Sequence, residues 1–87
     1  MKRTFWLSFA DEKRPKGSQF LGVCIVDVEA DDAEVGVMLA VGKSWLEGCN
    51  PGGQSSAVEL PQDHPDTARC PRNLLLQKED LLALRLL

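Results

Sequence analysis

The chain has 87 residues, 44% hydrophobic and 26% charged, with 10 Lys and Arg against 13 Asp and Glu for a net charge of −3. That is room for one small domain with the composition of a folded one, which excludes disordered and fibrous chains. No apolar run approaches the roughly 20 residues that cross a bilayer, and the basic start Met1–Ser8 lacks the apolar stretch of a signal peptide, so a cytoplasmic protein is expected.

Thr4 to Ala10 alternates, with Phe5, Leu7 and Phe9 pointing one way and Thr4, Trp6 and Ser8 the other, the period of a strand. Asp11 to Ser18 is a charged connection with Pro15 and Gly17, too long for a tight hairpin and expected to project from the sheet. Gln19 to Val28 forms a second strand, apolar on both faces and therefore either central and covered on two sides or covered by a partner chain, with Gly22 marking a bulge or a close approach.

Asp31 opens a helix as its cap, with Glu34 reaching back in a capping box, and the helix runs from about Asp32 to Glu47 before stopping at Gly48. Val35 to Val41 could pass for a strand by local propensity; the caps at both ends decide for helix. Val35, Val37, Met38, Leu39, Ala40, Val41, Trp45 and Leu46 spread around nearly its whole circumference. A helix apolar all round is buried on more than one side, and one small sheet cannot cover it. Self-association through Val37, Met38, Val41 and Trp45 is the expected remedy, although Trp45 taken by itself reads as a core residue.

Asn50-Pro51-Gly52-Gly53 reads as a type II turn, with proline fixing φ and Gly52 accepting a positive one. Ser55 to Leu60 is a third strand with Val58 and Leu60 inward and Glu59 outward, ended by Pro61. Gln62 to Arg72 is a polar loop punctuated by prolines, Leu74 to Leu76 a short extended piece, and Gln77 to Leu87 a terminal helix. The expected fold is a single α+β domain over 1–87. A small antiparallel sheet of about three strands carries one main helix on a face, in the order β-β-α-β, with a short C-terminal helix.

Catalytic patterns are missing: no GxSxG, HExxH, kinase or Walker motif occurs, and the clustered carboxylates Asp31, Asp32 and Glu34 already have work as helix caps. An enzyme is not expected. Cys24, Cys49 and Cys70 are odd in number, so reduced thiols are the expectation, with Cys24 a small buried hydrophobe. The spacing of Cys49, His64 and Cys70 matches no compact zinc arrangement, and neither a metal nor a cofactor is expected.

Charge is uneven along the chain. Residues 1–18 hold five cations against two acids, whereas residues 27–34 hold five acids and no cation. An anionic ligand suits the first segment and a basic protein the second; the negative total argues against general nucleic-acid binding. Trp6 offers a stacking surface, Arg14 and Lys16 a cationic clamp, and Asn50, Gly52 and Gly53 exposed backbone amides, so these six form the candidate ligand set.

Phe5-Trp6-Leu7-Ser8-Phe9-Ala10-Asp11, Phe20-Leu21-Gly22-Val23 leading to Val26, and above all Gly48-Cys49-Asn50-Pro51-Gly52-Gly53 resemble a family of short, mostly uncharacterised proteins from bacteriophages and prophages. The resemblance extends to about Leu60 and offers no catalytic residues. It implies an accessory binding protein in the host bacterial cytoplasm, of the kind that antagonises host defence. One form sequesters a small, nucleotide-like anion within a homo-oligomer. The alternatives are an inhibitor docking on a defence protein through the acidic segment, and a structural or assembly accessory.

Overall fold

The alternation of the first strand divides its side chains between two sheet faces, and the fold covers both. In a computed structural model, which describes residues 1–86, β1 (Lys2–Ala10) pairs antiparallel with β2 (Phe20–Glu29) on one side and β3 (Gln54–Leu60) on the other. A two-residue β4 (Leu75–Leu76) joins the far side of β2, giving a four-stranded sheet in the order β3-β1-β2-β4. The fourth strand comes from the short extended piece expected near Leu74. The register slips between Phe9 and Ala10, where Leu21 is left over beside Gly22. Gly22 takes φ +138°, and a Cβ there would lie 2.9 Å from the Leu76 carbonyl oxygen, so bulge and close approach coincide.

One face packs beneath α1 (Ala33–Leu46) through Phe5, Leu7, Phe9, Cys24, Val26, Ala40 and Cys49. The other face carries Val23, Ile25 and Leu76 against Leu81 of α3 (Lys78–Ala83) and Cys70, with Trp6 and Leu60 at its margin. β2 is thus central and covered twice, as its two apolar faces require. Each large side chain sealed in these layers contributes roughly 1.5–3 kcal/mol relative to exposure.

The local chemistry shifts some boundaries. The α1 cap is Asp32 and not Asp31: its carboxylate accepts from the Val35 amide at 2.9 Å. Gly48 takes φ +73° just past the helix, the left-handed stop expected of it. Residues read as loop hold α2 (Pro65–Arg69), begun by His64 as cap and Pro65 in the first turn. The terminal helix ends at Ala83, short of the expected extent, and Leu87 lies outside the described residues. Val58, expected inward, is 58% exposed because β3 is an edge strand, of which only Ala57 and Leu60 pack against the two cores.

The cysteines are the main correction. Cys24 and Cys49 form a disulfide, not the two free thiols expected, fastening the segment after α1 to the middle of β2 across 25 residues. Odd parity left one cysteine over, and it is Cys70, which is buried. No helix among the described residues is long and apolar enough to cross a membrane.

Candidate functional site

The strand pleat sends Trp6 to the sheet face opposite α1, between Ile25 on β2 and Val58 on β3. It is half-buried and borders two clefts. One, about 290 Å³, includes His64, Cys70 and Arg85; the other, about 420 Å³, includes Gly17, Phe20 and Lys78. Neither cleft contains a residue of the Asn50–Gly53 turn. Arg14 and Lys16 stand exposed on the hairpin loop, where the Arg14 guanidinium lies 3.7 Å from the Asp11 carboxylate.

Asn50 is occupied at both ends of its amide. Nδ2 donates to the Ser44 hydroxyl at 2.9 Å, and Oδ1 accepts from the Gly52 amide at 2.8 Å. Gly52 and Gly53 adopt φ +86° and +74°, and a Cβ on Gly53 would strike the Ala10 carbonyl. The turn fastens the end of α1 to the end of β1. A crevice of about 360 Å³ between turn and hairpin is lined by Asp11 and Glu12 as well as Lys13, a poor lining for an anion. The six candidate ligand residues are therefore not gathered into one of these sites.

The acidic segment is largely engaged within the chain. Asp27 accepts from the Thr4 hydroxyl at 2.6 Å and from Arg72 Nε at 3.1 and 3.2 Å, while Gln62 donates to the same Thr4 oxygen. Burial works against its charge, but the Thr4 and Arg72 hydrogen bonds and the nearby Arg72 and Lys2 cations outweigh it and hold the carboxyl below its ordinary range. Glu29 pairs with the N-terminal ammonium at 2.9 Å, and Asp32 is spent on the α1 cap. Burial pushes the Cys70 thiol up despite Arg72 and Arg69 nearby, so it is no ready nucleophile. Among the described residues, no group of three or more His, Cys, Asp or Glu is placed to hold a metal ion.

What stands open is α1 itself. Successive residues turn by about 100° around a helix, so Val35, Met38, Leu39, Gly42, Trp45 and Leu46 fall within one third of its circumference. This arc faces away from the sheet: Met38 is 74%, Trp45 59% and Leu46 89% exposed. The opposite arc holds the buried Gly36, Ala40 and Ser44. Trp45, expected in the core, is thus at the surface of the chain, on the arc of α1 turned away from the sheet. Val37 and Val41, named with Met38 and Trp45 as contact residues, pack against the core beneath α1 and leave the outer surface to Val35, Leu39 and Leu46. Beside the stripe runs an open groove of about 930 Å³ between α1 and Val28 of β2, with Lys2 and Lys43 on its rim. The Lys43 ammonium donates to the Asp27 carbonyl at 2.6 Å and anchors that rim.

The spacing 35-38-39-42-45-46 was the available signal for this surface, an a-d-e heptad pattern hidden within a helix that is apolar on its other side too. Comparison of the chain with protein-family models, curated proteins and solved structures found no match.

Proposed function

We propose that this chain is a non-enzymatic binding protein of the phage accessory type, acting by macromolecular contact through the outer stripe of α1. One observation carries the reading. Five large apolar side chains, 45% to 89% exposed, share one helix face with no charged residue among them. Apolar area on that scale is a liability unless something covers it. Contact with a protein surface suits that stripe better than sequestration of a nucleotide-like anion suits this chain, because Trp6, Arg14, Lys16 and the Asn50–Gly53 turn are dispersed. It also fits better than docking through the acidic segment, whose Asp27, Glu29 and Asp32 already have partners.

In-cell hydroxyl-radical footprinting tests the reading. Met38 and Trp45 are expected to be protected in the producing cell relative to dilute purified protein, and equal oxidation in both would contradict it. Calorimetry against cyclic di- and trinucleotides and ADP-ribose is expected to show no heat; saturable binding would restore the anion reading.

A further inference from the structure

We infer that the occupant of the outer stripe is a second copy of this chain, the two α1 helices running antiparallel about a two-fold axis between Leu39 and Gly42. This rests on the reading of the stripe as the contact surface and commits it to one partner. The sequence spacing is that of a helix–helix seam, with a, d and e heptad positions at Val35, Met38, Leu39, Gly42, Trp45 and Leu46. At the seam's middle sits a hole: a Cβ built on Gly42 meets nothing within 4 Å. The two-fold axis places Leu39 of each copy over that hole in the other and sets Val35 against Leu46. Antiparallel helices also bring opposite dipole ends together. Because the seam itself holds no charged side chain, self-pairing opposes no like charges within it.

The area fits a weak dimer. With Val35 at 45%, Met38 at 74%, Leu39 at 46%, Trp45 at 59% and Leu46 at 89% exposure, the stripe presents on the order of 500 Å² of mostly apolar surface. That is about a tenth of the chain's 5557 Å² and somewhat below the roughly 800 Å² per partner of a standard interface, the size of a dimer that dissociates on dilution. A competing route to a dimer, pairing of the outer edges of β3, offers less. That strand is QSSAVEL, polar at most positions, and its Glu59 is held by Arg3 at 2.8 Å.

Sedimentation equilibrium of the oxidised full chain between about 1 and about 200 μM, where modest interfaces dissociate, is the test. The mass is expected to rise toward twice 9.6 kDa with concentration. Leu46→Glu, at a position 89% exposed, is expected to weaken association at least about tenfold with unchanged far-UV circular dichroism. Met38→Glu serves as a second variant. A chain that stays monomeric throughout overturns the proposal. So does a dimer that both variants leave intact, which would locate the contact elsewhere, at the β3 edge for instance. A monomer whose Met38 and Trp45 are nevertheless protected in the cell overturns self-pairing and leaves the contact reading standing; loss of that protection as well removes both.

Discussion

The two sides of α1 reverse the usual arrangement of a surface helix. Its inner side centres on small residues, Gly36, Ala40 and Ser44, flanked by Val37 and Val41, and the small ones let the helix lie close on the sheet; a Cβ at Gly36 would come within 2.8 Å of the Phe5 ring. Its outer side carries the bulk, in Met38, Trp45 and Leu46, facing water. Packing against the sheet needs proximity, and small side chains provide it. Nothing in the chain's own fold needs large apolar groups outside, and the proposed contact would cover them.

That contrast can be attacked from either side. The largest expected effect is a charge on the inner face: Ala40→Glu, fully buried, should cost at least about 4 kcal/mol in urea denaturation. Leu46→Glu, measured at monomeric concentration, should stay within about 0.5 kcal/mol. Comparable losses from the two would erase the distinction. Next comes reduction of Cys24–Cys49, which ties the end of α1 to β2; thermal melts with and without reductant should differ by about 2–4 kcal/mol.

Asp27 sharpens the account beside the groove. Replacing it with Asn removes the charge that Arg72 and Thr4 hold and should cost about 2 kcal/mol near neutrality. The sign with pH follows from the lowered carboxyl. Its contribution is complete above the ordinary Asp value of about 4 and is lost as pH falls through the folded one. Acid titration of stability should therefore be shallower in Asp27→Asn than in the parent. Two alanines on α1 are expected to act with opposite sign. Gly42→Ala, with open space around it, should stabilise the monomer by up to about 1 kcal/mol. Gly36→Ala, against a buried Phe5, should destabilise it by about 1–3 kcal/mol, and equal signs in denaturation would show that the two faces are not distinct.

Where local chemistry decides structure, the residues could be read directly. Phe5, Leu7 and Phe9 alternate because a strand does; Gly48 and Gly52 sit where positive φ is needed; Gly22 marks its bulge. The short α2 was missed and read as loop: Pro65 stands at a first-turn position with Asp66 beside it, but five residues carry too little periodicity to stand out. Relations between distant residues were not legible. The Cys24–Cys49 bond depends on where α1 returns the chain, and the Thr4–Asp27–Arg72 cluster joins positions from both ends. At α1 the obstacle was different. A count of apolar residues merges two stripes into one greasy cylinder, although the smallest residues, Gly36, Ala40 and Ser44, mark the centre of the inner face and the largest, Met38, Trp45 and Leu46, the outer one.

Trp45 gives the most direct reading of the central claim. In a Trp6→Phe variant it is the only tryptophan, and iodide quenching of its fluorescence reports whether water reaches the outer stripe. The account predicts quenching at low protein concentration that fades, with a blue-shifted emission, as the stripe becomes covered at high concentration. Full quenching and water-like emission at every concentration would contradict it.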